Sequence, residues 1–159
     1  MPKPLPQTPE ETTTNYATLN TLLGYHIKRA SDVIQSDLSE TLKPFGLRML
    51  TYTALVLIVD NPGLRQSQLA AAMSVEHPNL VVIIDALESR DLINRDRVPT
   101  DRRAYALNCT LAGRRLYDKA VAAVRAHEAR LLAGLDAPTR TAVTQAMKLI
   151  RATGGAQDT

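Results

Sequence analysis

Tryptophan is absent from the 159-residue chain, and Phe45 is its single phenylalanine. Large aromatic side chains therefore contribute little to packing, and a core must be built from Leu, Val, Ile and Ala. The hydrophobic fraction of 45% is sufficient for such a core and too high for a disordered chain. Together with the chain length, this composition predicts one compact domain.

Cysteine is equally scarce, because Cys109 is the only one and cannot form an internal disulfide. No apolar run reaches about 18 residues, so we expect neither a transmembrane helix nor a membrane partner. The segment after Lys3 also lacks an apolar run, which argues against a secretory signal. A reducing cytoplasm is the expected location of the protein.

Signatures of enzymes and of metal sites are missing as well. His26, His77 and His127 lie on different predicted elements, and none has a cysteine or carboxylate at metal-ligand spacing. P-loop, GxGxxG and GxSxG motifs do not occur in the sequence. We therefore expect a protein that is not an enzyme and that holds no metal and no cofactor.

Charge is modest overall and concentrated in one segment. The net charge of +3 and the isoelectric point of about 9.2 permit nucleic-acid binding without demonstrating it. Residues 90–103 contain five arginines and three aspartates, and the difference of these counts gives the segment a charge of +2. The segment is either a surface for DNA or a solvated hairpin with ordinary salt bridges.

Apolar periodicity predicts a mostly helical chain. A flexible arm at residues 1–13 precedes helices at 19–42, 48–59, 66–73, 77–90 and 111–132, and a last helix opens at Pro138. Residues 80–84 are rich in β-branched side chains, but Leu80, Ile84 and Leu87 share one helical face, so we assign them to a helix. Residues 92–95 and 104–108 are predicted strands of a hairpin.

This order of elements suits duplex DNA, because a helix fits the major groove and a neighbouring hairpin reaches the minor groove. Over residues 19–150 the sequence resembles the MarR family of winged helix-turn-helix regulators. The resemblance is carried by Gln68-Leu69-Ala70, Val75, Pro78-Asn79-Leu80, Asp85-Ala86-Leu87-Glu88-Ser89-Arg90, Leu92-Ile93, Asp101-Arg102-Arg103, Leu107 and Thr110-Leu111-Ala112-Gly113.

The resemblance implies a mostly α (α+β) fold, a winged helix-turn-helix with long terminal helices that form a dimerisation region. It implies a single domain at residues 14–153, with a DNA-binding lobe at about 47–110 and dimerisation helices at about 15–43 and 111–152. Residues 154–159 are expected to be a flexible tail. An obligate homodimer, a palindromic double-stranded DNA operator and a small-molecule inducer also follow from the resemblance.

Three positions depart from the family pattern. Ser74 and Asp91 stand where glycine is common, and Arg65 stands where a Ser or Thr helix cap is common. Serine and aspartate can adopt the left-handed turn conformation at some energetic cost, so we expect the fold to persist.

The resemblance also assigns DNA contacts to the wing. Arg103 matches the family's wing arginine and Asp101 matches the acid that orients it. A narrow A·T-rich minor groove attracts an inserted arginine, which is the role predicted for Arg103. Arg97 and Arg102 are predicted to contact phosphates. The alternative for these arginines is an exposed position with loose pairing to aspartate.

The predicted helix at 77–90, which corresponds to the recognition helix of the resembled family, contains candidate DNA-binding residues. Each of them has an alternative role that stays open. Asn79 either pairs with adenine or caps its own helix, and His77 is a weaker candidate of the same kind. Val82, like its neighbour Val81, either meets thymine methyl groups or adds to the core. Ser67 either donates to a phosphate or caps a helix.

The remaining candidates concern a ligand. His26, Arg29, Arg48 and Tyr52 lie on the first two long helices, near which the resembled family has a ligand cleft. Cations beside apolar walls suit an aromatic ring with a negative group, whereas the alternative is that both arginines reach solvent. The sequence thus predicts a repressor released from DNA by a small aromatic acid or thioester. The alternative is a winged-helix module for protein–protein assembly without ligand response.

Overall fold

The computed structural model describes residues 14–98 and 101–154, with the side chains of residues 101–103 outside the description. The predicted arm at 1–13 and the tail from 155 onward lie outside the described residues. The described elements are α1 (Leu23–Leu42), α2 (Met49–Asp60), β1 (Leu64–Arg65), α3 (Gln66–Met73), α4 (His77–Glu88), β2 (Ile93–Val98), β3 (Asp101–Cys109), α5 (Leu111–Leu131) and α6 (Ala137–Gly154). Short 3₁₀ turns occupy Leu19–Thr21 and Lys43–Phe45. All six predicted helices and the predicted hairpin are confirmed.

The chain divides within α1 into two compact units, one up to Ile34 and one from Gln35. In the first unit the rings of Tyr16 and Tyr25 stack with their centroids 6.5 Å apart. The His26 ring meets Tyr25 edge-on, and its Nε2 lies 2.9 Å from the carbonyl oxygen of Asn20. Most side chains of residues 14–34 are exposed.

The second unit contains an aliphatic core, as the scarcity of aromatic residues requires. Leu80, Ile84 and Leu87 are fully buried on one face of α4, which confirms the helical assignment of residues 80–84. They pack in a cluster with residues of α2, α3, α5 and the sheet. Its other fully buried large side chains are Leu42, Leu55, Ile58, Leu69, Ile93 and Leu107.

The sheet has three antiparallel strands in the order β1-β3-β2, with Leu64 opposite Leu107 and Ile93 opposite Cys109. Both hairpin strands extend further into the polar segment than predicted, because paired backbones do not need apolar side chains on a solvated wing. Strand β1 was missed, since two residues carry no readable period.

Left-handed residues end the helices of the helix-turn-helix. Ser74 has φ +52° and Asp91 has φ +55°, so both take the turn conformation expected of them. Helix α4 stops at Glu88, two residues earlier than predicted, because the N–H of Asp91 turns back to the Glu88 carbonyl at 2.8 Å. At Arg65, the backbone N–H donates to Gln68 Oε1 at 2.9 Å, so the Gln68 side chain satisfies the backbone at the start of α3 where no hydroxyl is present.

The last two helices have the side-chain caps that their sequences indicate. Thr110 Oγ1 accepts from the N–H of Gly113 at 2.9 Å, which confirms the predicted cap of α5. Asp136 Oδ1 accepts from the N–H of Thr139 at 2.9 Å, and hydrogen bonding to Thr139 lowers the pKa of this carboxyl. Among the described residues, no single helix is long and apolar enough to cross a bilayer, although two bent pairs of consecutive helices pass the same test together.

Candidate nucleic-acid interface

Helix α4 presents a narrow exposed strip along one edge of its buried face. Asn79, Val82 and Ala86 form this strip at three- and four-residue spacing, and Val82 is 68% exposed. Val82 therefore does not add to the core, whereas Val81 is half-buried. Such a strip can meet base edges in a groove, because a helix offers one face at a time.

The polar candidates at the start of the two helices are also exposed. Ser67 lies at the second position of α3, and His77 and Asn79 lie in the first turn of α4. The residues that precede these helices, Arg65 and Glu76, form no side-chain cap hydrogen bond. Within the described part of the chain, the Asn79 amide makes no hydrogen bond, so the alternative role of Asn79 as a cap is not observed.

Arg90 joins the end of α4 to the turn that follows α1. Its Nη1 donates to the carbonyl of Gly46 at 2.7 Å, and its Nη2 donates to the carbonyl of Phe45 at 2.9 Å. Gly46 has φ +61°, and a Cβ there would lie 3.4 Å from the guanidinium. This bridge fixes the carboxyl end of α4 and occupies the guanidinium of Arg90.

Arg95 joins the wing to the same helix. Its Nη2 donates to Asp85 Oδ1 at 2.7 Å, and its Nε donates to Glu88 Oε2 at 2.9 Å. Hydrogen bonding to Glu88, followed by that to Asp85, raises the pKa of Arg95 against the opposing effect of burial. Charge-assisted bonds of this fork geometry are directional, so they hold β2 against α4.

A second network ties the base of the wing together. Asn108 Nδ2 donates to Asp96 Oδ2 at 2.8 Å, while Asn108 Oδ1 accepts from the N–H of Gly63 at 2.9 Å. Arg97, in contrast, is exposed and forms no ion pair with the residues that the structure describes. It is therefore available for an external anion such as a phosphate.

The wing residues that the resemblance singles out are only partly described. The main chain of Asp101, Arg102 and Arg103 belongs to β3, next to the hairpin turn. Their side chains lie outside the described residues, so the predicted orientation of Arg103 by Asp101 stays a prediction.

An open cleft of about 840 Å³ lies between the start of α2 and α4. It brings Arg48, predicted to bind a ligand, together with Asn79 and Val82, predicted to bind DNA. Apolar side chains form much of its lining, including Met49, Leu50, Val75, Ile83 and Leu87. A ligand in this cleft would compete for the surface that α4 offers to DNA.

The other ligand candidates are dispersed. His26 and Arg29 are exposed residues of the first unit. Tyr52 is half-buried in α2, where burial and, to a lesser degree, Tyr117 raise the pKa of its phenol. Tyr117, which no pattern in the sequence singles out, donates its hydroxyl to Asp60 Oδ1 at 3.0 Å. Across residues 14–98 and 104–154, no group of three or more metal-ligating side chains is found.

Sequence comparison places the chain among transcriptional regulators. A profile of the MarR family matches residues 47–105. The HTH-type transcriptional repressor Rv2887 of Mycobacterium tuberculosis is 33% identical over 116 residues, which are 73% of this chain and 84% of that protein. A putative regulatory protein for the hcr operon of Thauera aromatica is 39% identical over 92 residues, 57% of this chain and 55% of the relative.

Solved structures agree with the sequence matches. The repressor CouR bound to a 23-mer DNA duplex has a TM-score of 0.83 at 34% identity, covering 87% of this chain and 98% of CouR. CouR from Rhodococcus jostii RHA1 bound to p-coumaroyl-CoA has a TM-score of 0.76 at 31% identity, covering 90% of this chain and 97% of that structure. Rv2887 in complex with salicylic acid has a TM-score of 0.64 at 29% identity, covering 81% and 96%. These neighbours confirm the winged helix-turn-helix fold.

Proposed function

Since this chain belongs to the MarR family of winged helix-turn-helix transcriptional regulators, we propose that it represses transcription by binding a palindromic DNA operator as a homodimer. The observation that carries the proposal is the exposed strip of α4 beside a wing with an exposed arginine, Arg97. Helix α4 enters the major groove, and the hairpin reaches the adjacent minor groove. Two copies related by a two-fold axis place their α4 helices on the two half-sites.

Each candidate residue has a role in this arrangement. Asn79 and Val82 face base edges, with His77 at the entry of the helix. Ser67, Arg97 and Arg102 contact phosphates, which set affinity and register without reading sequence. Arg103 enters the minor groove, where Asp101 orients its guanidinium. The Arg95 bridge holds the wing against α4, and the Arg90 bridge fixes the end of α4 on the turn that follows α1.

The terminal helices supply the dimer in this proposal. Residues 14–153 act as one domain, in which residues 47–110 form the DNA-binding lobe and residues 15–43 and 111–152 form the dimerisation region. Support comes from α6, in which no residue is buried within the single chain although several of its side chains are large and apolar.

The inducer in this proposal is a small aromatic acid or its thioester. Support comes from the relatives, because CouR has been solved with p-coumaroyl-CoA and Rv2887 with salicylic acid. In this chain, Arg48 supplies a cation beside apolar walls, and Tyr52, His26 and Arg29 are the further candidates. Release of DNA requires the ligand to favour one state, because equal affinity for both states shifts no equilibrium.

A gel-shift titration with duplex DNA from upstream of the gene, repeated at several salt concentrations, tests the proposal. We expect a specific complex whose affinity falls steeply with salt, because cations release condensed counterions when they bind phosphates. An assembly module without DNA function would show no complex beyond the non-specific background. That result would indicate that the wing contacts a protein partner instead of DNA.

Replacing Arg103 with alanine should weaken operator binding by about 1–3 kcal/mol if its side chain enters a groove. Arg103→Lys should recover only part of the loss, because a compact and strongly hydrated ammonium costs more to desolvate. Fluorescence anisotropy gives both Kd values. A duplex of unrelated sequence, measured in the same way, gives the non-specific background for each variant. Unchanged affinity of a folded Arg103→Ala variant would remove Arg103 from the interface.

A ligand panel should identify benzoates, hydroxycinnamates or their thioesters as inducers. Because the cations beside apolar walls bind a negative aromatic compound better than a neutral one, we expect these ligands to raise the melting temperature and to release the operator. Uncharged amines and sugars are the comparison set in the same thermal-shift and gel-shift measurements. If no aromatic acid or thioester weakens DNA binding at millimolar concentration, the inducer class is wrong while the DNA-binding role stands.

A further inference from the structure

The recognition helix contains no lysine or arginine. From His77 to Glu88, α4 reads His-Pro-Asn-Leu-Val-Val-Ile-Ile-Asp-Ala-Leu-Glu, and every residue of it is described. Bidentate contact of arginine or lysine with O6 and N7 is the commonest way in which proteins read guanine in the major groove. Helix α4 therefore lacks the usual guanine-reading side chains within its own length.

The two arginines that follow α4 are occupied within the protein. Arg90 donates from both terminal nitrogens to the carbonyls of Phe45 and Gly46. Arg95 is paired with Asp85 and Glu88 of α4 itself. Turning either guanidinium toward a base would break two hydrogen bonds or ion pairs, so neither arginine extends the reading surface of α4.

What α4 offers instead is an amide followed by apolar groups. Asn79, Val82 and Ala86 are all exposed and lie on one helical face. Asparagine pairs with N6 and N7 of adenine, and small apolar side chains contact the thymine C5 methyl. The amide and the apolar side chains therefore both select A·T pairs.

Charges around the strip are consistent with contact to duplex DNA. Arg65 at the start of α3 and Arg97 in β2 are exposed cations that can meet phosphates. The acidic Asp85 shares the charge of Arg95 with Glu88, so these three side chains together carry a charge of −1. Exposed Glu76 remains at the entry of α4, beside His77.

We propose that α4 reads a run of A·T pairs in each half-site, with the Val82 side chain packed on a thymine methyl and the Asn79 amide paired with a neighbouring adenine. The inference deepens the proposed function and rests on it. Specificity at these positions comes from methyl contact and amide pairing, and no guanine N7 is contacted by α4. Ala86 extends the same apolar surface by one further helical turn.

Single-atom changes in the DNA test this proposal with the full-length protein. The operator is obtained by in vitro selection, and each thymine of a half-site is then replaced singly by deoxyuridine, which lacks the methyl group. We expect one or two of these replacements to raise Kd about fourfold, the value of one buried methyl-sized group. Replacing half-site guanines by 7-deazaguanine should leave Kd unchanged, because that change removes only the N7 acceptor.

Val82→Ala links the methyl effect to one side chain. The variant should bind the wild-type operator less tightly, and it should lose its sensitivity to deoxyuridine at the position where the wild-type protein shows it. Because Val82 is exposed, the melting temperature of the variant should equal that of the wild-type protein. Ser89→Ala, at an exposed site just after α4, is the control that retains deoxyuridine sensitivity.

The outcomes separate this inference from the proposed function. If selection recovers no DNA, the proposed function fails and this inference fails with it. If an operator is bound but deoxyuridine has no effect at any position, methyl reading is wrong and the regulator role stands. A loss of about tenfold or more with 7-deazaguanine would likewise overturn the inference, because it would reveal a cation on guanine.

Discussion

Replacing Gly113 with alanine should destabilise the protein by at least about 3 kcal/mol, the upper end of the usual cost of overpacking a core. A Cβ at this buried position would lie 1.9 Å from the carbonyl oxygen of Leu92 and 2.9 Å from Cys109 Sγ. The first of these contacts is with backbone, which cannot rotate away as a side chain can. The start of α5 must therefore move away from the strand that leads into the wing.

Hydrogen bonds around Gly113 make that movement costly. The Leu92 carbonyl accepts from the N–H of Thr110 at 3.1 Å. Thr110 Oγ1 accepts from the N–H of Gly113 and donates to the Asp91 carbonyl at 2.6 Å. Displacing the helix strains all three bonds at once, and the same displacement changes where the wing begins.

Urea unfolding followed by circular dichroism measures the loss, with Gly24→Ala as the matched control. Gly24 is also in a helix, and nothing lies within 4 Å of a Cβ built there. Because alanine is preferred to glycine in helices by about 1 kcal/mol, the control should be neutral or more stable. Equal unfolding midpoints for Gly113→Ala and Gly24→Ala would contradict the steric argument.

The helical part of the fold could be predicted from the sequence because its signals are long and repeated. Leu80, Ile84 and Leu87 are spaced for one helical face, and this periodicity outweighed the β-branched run around them. The turns at Ser74 and Asp91 could also be predicted, because both residues stand where glycine is common in the MarR family. Strand limits in the wing were not readable, because pairing there depends on the partner strand rather than on apolar alternation.

The internal contacts of the candidate site could not be predicted from the sequence. The sequence left open whether Val82 adds to the core, and the structure shows it 68% exposed. Among the arginines of residues 90–103, however, the sequence does not distinguish Arg95, which binds Asp85 and Glu88, from Arg97, which binds neither. Ion-pair choice depends on three-dimensional proximity across two elements. The tight approach at Gly113 is hidden for the same reason.

Helix α6 exposes an apolar face of the kind that dimer interfaces bury. None of its residues from Ala137 to Gly154 is buried within the single chain. Val143, Met147 and Ile150 nevertheless share one helical face, and each is more than one third exposed. Large aliphatic side chains grouped in this way are costly in water, so a second copy of the chain is expected to cover them.

Ending the chain after Gly134 should therefore abolish dimerisation, and stable folding with it, because the shortened protein loses the whole of α6 and the shared core it supplies. Analytical ultracentrifugation and circular dichroism report the two properties separately. A milder change tests the same face, since Met147→Glu would place a carboxylate in the proposed interface without removing the helix. Gln145→Glu adds the same charge on a different side of α6 and should remain dimeric.

The functional consequence of losing the dimer is large. A monomer binds one half-site at a time, so operator affinity should fall by far more than the loss of any single base contact. Met147→Glu should thus sediment as a monomer and lose specific binding, while its helix content stays near that of Gln145→Glu. A dimer formed by the chain ending at Gly134, or a Met147→Glu protein that remains dimeric, would show that α6 is not the dimerisation surface.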